Sequence, residues 1–543
     1  MRPFIFLLPI IVFLSSCTRE SILKKENIGT IPIPGAMVGA SVSPSGLKVG
    51  IYSGTGAESS TTLALYRAVA AMGYQPMALT SADILAGRLT TANFNVFIIP
   101  PGEDGTKCCV GKFSATDGLD KIATKTAIKT YLNNGGGVVA EEAGAFYSSM
   151  NGGTLDIYSG NYTNVTNQIG KKTFTITDAN FGSGSQDGWH SYGGGYFPTP
   201  PSTVGVVAVN SSNQAVIVKQ SYGAGRLIMT SFTLELRGDT ELDWTVWDNW
   251  EMGNVHANSV GVWKMLGRMI NWAYSGTAFE PTITETPNPA GARIAIVAQH
   301  TADGGAWPGL LPAVGRGVEY SGNIPLAIRF KDIINGKLTT TNFKVVTFPG
   351  GYAYGYKTGL AGYETNIRNF VTAGGGYYGI CAGSFYTPST IVWDKKNYDY
   401  PLKLYAGQDV GPINDIVAWP GYQSSSITYS GDNVIGEFGN VSVMYYGGGY
   451  HTIPTDVQQG AHVYTAGVFA SSSAVGKANL VRYAYGNGHV ALSTSHLEAL
   501  MGSNTDWMYW DNYDYTTGTA LTSAGLQSWN VMKAIFNNWL TIQ

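Results

Sequence analysis

Long stretches of this chain recur in the same order in its two halves, and that duplication constrains the fold more than any single motif. LAGRLTTANFNVFIIPPG, ending at Gly102, matches INGKLTTTNFKVVTFPGG, ending at Gly351. YLNNGGGVVAEEAGAFY, ending at Tyr147, matches FVTAGGGYYGICAGSFY, ending at Tyr386. YGGGYF (Tyr192 to Phe197) pairs with YGGGYH (Tyr446 to His451), and GRLIMTSFTLEL pairs with GHVALSTSHLEA. Both halves continue with Asp-Trp and Trp-Asp-Asn and close on an amphipathic helix carrying Trp263 or Trp529. So long a repeat means duplicated domains. A chain of 543 residues also exceeds what one hydrophobic core usually serves.

Each half opens on an apolar strand, Lys48 to Tyr52 or Arg293 to Ala298, followed by a Gly-containing loop and a helix-like stretch. Strand, turn and helix-period segments alternate at the start and end of both halves. That pattern predicts an α/β fold with a mostly parallel sheet covered by helices. The segments from Thr390 to about Gly488, and from Gly152 to Gly225, are rich in Tyr, Val, Thr, Gly and Asn with short alternations. They read as β-rich insertions. The expected layout is a first domain at 46–275, a linker at 276–292 and a second domain at 293–543.

The N-terminus carries Arg2 and an apolar run from Phe4 to Leu14, too short to span a bilayer comfortably. Leu14-Ser15-Ser16-Cys17 follows and has the form of a bacterial lipobox, with Cys17 as the lipidation site. The other reading is an ordinary signal peptide with an incidental Cys. Residues 1–17 are thus expected to be a lipoprotein signal peptide and 18–45 a flexible tether. This places the protein in a bacterial cell envelope, anchored to a membrane by lipid, with the outer membrane or cell surface favoured over the inner membrane. Only 13% of residues are charged and the formal charge is -3, so the basic footprint of a nucleic-acid binder is missing.

Chemistry concentrates in the second half. Gly379-Ile380-Cys381-Ala382-Gly383 follows a candidate strand and precedes a candidate helix, the context of a nucleophile elbow. Small residues two before and two after the nucleophile let the chains pass closely, and the helix N-terminus beneath favours the thiolate. Ser495-His496-Leu497-Glu498 supplies a base, His496, and an orienter, Glu498, two residues apart on one side of a strand end. Backbone amides of Gly350, Gly351 and Ala382 are candidates for an oxyanion hole. Tyr352, Tyr446, Gly447, Gly448 and His451 are candidates for the substrate pocket, with a purely structural histidine the competing role for His451 and close backbone packing the better explanation of the glycine run. No metal pattern is present and no cofactor is expected. Cys108 and Cys109 are adjacent; they are read as thiols, as cross-linked, or as a vicinal disulfide. In the first half Glu142 stands where Cys381 stands in the second, Thr233 where His496 stands, and only Glu235 is retained, opposite Glu498.

FPGG, GICAG and HLE resemble the oxyanion turn, nucleophile elbow and His-Pro-Glu signature of class I glutamine amidotransferase-like proteins, with Leu497 in place of the usual Pro. GGGYYGICAGSFY, LYAGQDVGPI, YYGGGYH and GNGHVALSTSHLE are more closely similar to the domain at the N-terminus of eukaryotic biotin-protein ligases, which also occurs in bacterial stand-alone proteins. The resemblance implies a flavodoxin-like parallel sheet in each half and a Cys381-His496-Glu498 triad in the second. No Gly-Arg-Gly-Arg-type adenylate loop occurs, so biotin transfer is not expected. Hydrolysis of a small-molecule or peptide amide through a thioester is one expectation. The other is non-catalytic binding of a glycan, peptide or small metabolite in the envelope.

Overall fold

Parallel strands in the middle of a sheet are covered on both faces, so they read as unbroken apolar runs, and both halves supply such runs. The computed structural model describes residues 46–543 except 55, 103–118, 120–121, 152–154, 166–169, 191–193, 236–249, 252–253, 256–258, 284–290, 302, 308–309, 420, 455–461, 500–512, 515–518, 521–525 and 543. Cys17, Cys108 and Cys109, and the two Trp-Asp-Asn sequences, lie outside the described residues.

In the first domain β1 (Lys48–Tyr52), β2 (Gln75–Leu79), β3 (Val96–Ile99), β4 (Gly137–Glu141) and β5 (Gly225–Thr230) pair in parallel in the order β2-β1-β3-β4-β5. In the second, β6 (Arg293–Val297), β7 (Ile324–Ile328), β8 (Val345–Phe348), β9 (Gly376–Ile380) and β11 (Gly488–Ser493) repeat it as β7-β6-β8-β9-β11. Both are the 2-1-3-4-5 order of flavodoxin-like sheets, whose sites lie outside the carboxyl ends of the strands. The expected fold class is therefore what the chain adopts. The β-rich insertions do not form a separate layer. They extend each sheet, mostly with antiparallel strands, to nine strands in the first and thirteen in the second among the described residues. Among them β10 (Gly439–Tyr446) pairs with Tyr422–Tyr429 and ends beside the site described below.

Helices bury their apolar faces against these sheets: α1 (Ser59–Ala71), α2 (Ala143–Ser148) and α3 (Ser259–Ser275) in the first domain, and α4 (Leu311–Tyr320), α5 (Ala382–Phe385) and α6 (Gln527–Ile535) in the second. Trp263 on α3 and Trp529 on α6 are both buried. Their indole N–H groups donate to the Glu235 and Glu498 carbonyls at 3.1 and 2.8 Å, so the duplication extends to single hydrogen bonds.

The two copies also pack on each other, helix α1 against its counterpart α4. Ala64 and Trp189 of the first domain join the second domain's core, and Leu310, Ala313, Met444 and Ala499 of the second join the first domain's. This reciprocal exchange is the pattern of an isologous dimer interface, here within one chain.

Candidate active site

Strand β9 runs straight into Cys381, which turns the chain into helix α5 with φ 47° and ψ −103°. A non-glycine residue at positive φ costs on the order of 1–3 kcal/mol and persists only where its surroundings over-determine it. Here they do. The Cys381 N–H donates to the Ser493 carbonyl on β11 at 2.7 Å, and its carbonyl accepts from the amides of Ser384 and Phe385 at 2.9 and 3.0 Å. A Cβ on Gly383 would lie 1.9 Å from the Phe348 carbonyl oxygen, and one on Gly379 would lie 2.7 Å from the Gly383 carbonyl oxygen. The flanking glycines are thus required by close backbone passage.

His496 follows β11. Its N–H donates to the Met444 carbonyl on β10 at 2.9 Å, and its Nδ1 lies 2.8 Å from Oε1 of Glu498. A carboxylate there accepts from Nδ1–H. Both residues are fully buried, and with Nδ1 taken by Glu498 the other ring nitrogen is left for the adjoining Cys381 thiol. Burial opposes the imidazolium, but interactions with the adjoining Glu498 and Cys381 side chains outweigh it and raise the His496 pKa to about 10. The Cys381 thiol lies 3.6 Å from the Tyr446 carbonyl oxygen.

The Pro349-Gly350-Gly351 turn lies against the histidine. A Cβ on Gly350 would come within 2.2 Å of His496 Cε1. The Trp307 N–H donates to the Gly350 carbonyl at 2.9 Å, while Gly351 and Tyr352 pair with Ala306 and Gly305 in a short antiparallel ladder. Ala382 opens α5, so its amide belongs to the first turn, which has no intrahelical acceptor.

Of the expected pocket residues, Tyr446 has its ring centroid 6.4 Å from that of His496. Gly447 and Gly448 serve packing: a Cβ on either would strike the Trp419 ring or the Thr494 carbonyl. Sequence reasoning missed Trp307 and Trp419, whose half-buried rings lie 6.5 and 5.6 Å from that of Tyr446. They come from loops far apart in the chain, and nothing in their local sequence marks them.

His451 is not brought to this cluster. Its Nδ1 lies 2.6 Å from Oδ1 of Asp409 and its Nε2 lies 3.1 Å from the Leu492 carbonyl oxygen, so both ring nitrogens are used inside the sheet. Of its two expected roles, the structural one fits this geometry. Asp409 in turn accepts from the Ser384 hydroxyl at 2.6 Å, tying helix α5 to the sheet behind the elbow.

Residues 331–540 match the family model described as Biotin-protein ligase, N terminal. The second domain is of the biotin-protein ligase N-terminal type. With its elbow and His-x-Glu pair it falls within the class I glutamine amidotransferase-like superfamily. Solved structures similar to the chain include a glutamine amidotransferase, at 16% identity over 34% of this chain and 88% of that one with a TM-score of 0.25. PurLQS from Thermotoga maritima is another, at 13% identity over 45% of this chain and 97% of that one with a TM-score of 0.30. No match was found among curated proteins.

The first domain keeps the backbone of this biotin-protein ligase N-terminal-type site without its chemistry. Glu142 sits on the elbow with φ 40° and ψ −100°, and its N–H donates to the Thr230 carbonyl at 2.9 Å. Thr233 donates its N–H to the Trp189 carbonyl at 2.7 Å, as His496 does to Met444. Burial pushes the Glu141 carboxyl up to about 8 and Glu235 well above the usual carboxylate range. Burial thus disfavours ionisation of both carboxyls on the elbow's flank, where the second domain has the His496–Glu498 pair.

Proposed function

We propose that the second domain is a cysteine-dependent amide hydrolase acting through a thioester. The observation that carries this reading is a buried His496 held through Nδ1 by Glu498, with the Cys381 side chain, on a strained elbow, in contact with the same imidazole. In the proposed reaction the Cys381 sulfur attacks the amide carbonyl carbon and a C–S bond forms. The amides of Ala382 and of the Gly350-Gly351 turn hold the oxyanion. The His496 imidazolium gives its proton to the nitrogen as the C–N bond breaks, and the amine leaves. Neutral His496 then takes a proton from water, which attacks the thioester and expels the thiolate. Glu498 holds the ring orientation in both steps and touches no reacting atom.

The half-buried rings of Trp307 and Trp419 gather around that of Tyr446, whose carbonyl lies 3.6 Å from the thiol, and this flat apolar surface suits a substrate with a sugar or aromatic face beside its amide. Incubation with a set of amides that includes glutamine, followed by intact-mass measurement, tests the reading. A hydroxylamine-labile acyl adduct on Cys381, lost in Cys381→Ser, supports it; no adduct with any amide, despite an accessible thiol, counts against it.

The protein is further proposed to act in a bacterial cell envelope, held to a membrane by lipid on Cys17. Among the described residues no helix is long and apolar enough to cross a membrane. Release of the protein from the membrane fraction by Cys17→Ser supports lipid anchoring, and retention in that fraction overturns it.

A further inference from the structure

A domain that has lost its nucleophile and base but kept its fold calls for another role, and the contacts of β10 suggest one. This strand touches the triad twice through its backbone. The Met444 carbonyl accepts from the His496 N–H at 2.9 Å, and the Tyr446 carbonyl lies 3.6 Å from the Cys381 sulfur. The Met444 side chain is turned to the other copy. Met444, with Leu310, Ala313 and Ala499, is buried in the core cluster built mainly by the first domain, and Trp307, Tyr422 and Tyr446 pack against that cluster. Ala499 directly follows Glu498. The strand that positions the base, the residue after the orienter and the aromatic wall of the pocket are therefore all seated on the other copy.

We infer that the first domain is a scaffold for the second domain's site, and that Met444 is a positioning residue: its side chain, held by the first domain, sets the carbonyl that fixes His496 opposite Cys381. The inference rests on the reading of Cys381 as an activated nucleophile. It explains why the first copy keeps the elbow, the strand order and the Trp263 bond while its chemistry is gone, since a scaffold needs shape and not a thiol. A misplacement of about 1 Å in a reacting group costs on the order of a hundredfold in rate, so a loosened β10 has a measurable effect.

The test is iodoacetamide alkylation of Cys381 in the full chain, followed at the Cys381 peptide by mass spectrometry at pH 7 and pH 9. Wild type is compared with Met444→Ala, Met444→Leu, His496→Ala and Leu132→Ala. Leu132 is fully buried in the core on the opposite face of the first sheet, so Leu132→Ala controls for lost stability. The expected result is labelling at pH 7 slowed about tenfold or more in Met444→Ala, with less difference at pH 9, recovery in Met444→Leu, and a change within about twofold in Leu132→Ala. A folded Met444→Ala that labels like wild type while His496→Ala does not overturns the scaffold inference alone. Wild type and His496→Ala labelling alike overturns the proposed function and this inference with it. Met444→Val, a milder truncation, carries the same comparison if the alanine variant does not fold.

Discussion

His496 Nδ1 and Glu498 Oε1 lie 2.8 Å apart in a fully buried pair, and this contact decides the charge state of the site. Without the carboxylate, burial alone pulls the imidazole towards its neutral form. Glu498→Gln keeps the shape and removes the charge. The expected outcome is a Cys381 alkylation rate at pH 7 lowered by about tenfold to a hundredfold, because loss of the orienting anion disturbs both tautomer and ionisation. A stopped time course of labelling at fixed pH measures it.

The same contact predicts a slope of stability with pH. The folded-state pKa of His496, about 10, lies above the ordinary value of 6.5. Stabilisation from the bound proton is therefore fully present below about pH 6.5 and is lost as pH rises through about 10. Chemical denaturation from pH 6 to 10 should show a decline in wild type that His496→Asn flattens. An identical slope in both chains contradicts the assignment.

Gly350 and His496 are matched in shape, and so are their counterparts. A Cβ at 350 would stand 2.2 Å from the imidazole, and the first domain, which has Pro101 in that turn, has Thr233 in place of histidine. Gly350→Ala should therefore cost about 1–3 kcal/mol by overpacking and slow Cys381 labelling. Grafting Glu142→Cys and Thr233→His into the first domain should yield an activated thiol only when Pro101→Gly is added. Labelling of the grafted cysteine in the double and triple variants decides this.

The Glu142 elbow holds positive φ with no nucleophile to present. Glu142→Gly removes the strain and one buried carboxyl, and is expected to stabilise the chain by about 1 kcal/mol while leaving Cys381 labelling unchanged. Breaking the Asp409–His451 pair has the opposite effect. Asp409→Ala leaves the buried His451 Nδ1 and the Ser384 hydroxyl without their hydrogen-bond partner, for a loss of about 1–3 kcal/mol at each. Denaturant midpoints test both.

The parts of this site that could be read in the sequence are those carried by contiguous residues. Strand, elbow and helix lie within Gly376 to Phe385, and the base and orienter are two residues apart, so local geometry alone brings out their chemistry. The mostly parallel sheet followed from the alternation of apolar runs and helices, and its flavodoxin-like form from the family resemblance. Trp307 and Trp419 were not legible because separate loops deliver them to Tyr446. His451 follows Tyr446 and the glycine run in sequence and so invites assignment to the pocket, yet pairing of Tyr450–His451 with Asp409–Gly411 carries its ring into the sheet. The packing of one copy on the other left no periodic trace, since Met444 and Trp189 look like ordinary core residues within their own halves.

The measurement that bears most directly on the whole account is Cys381 alkylation by iodoacetamide across pH in wild type, with Cys381→Ser to assign the signal and His496→Ala to remove the base. The account predicts rapid labelling below pH 7 that collapses in His496→Ala, as a thiolate held by an imidazolium requires. Labelling that becomes appreciable only near pH 8.5, where an ordinary thiol ionises, and that is indifferent to His496, contradicts it.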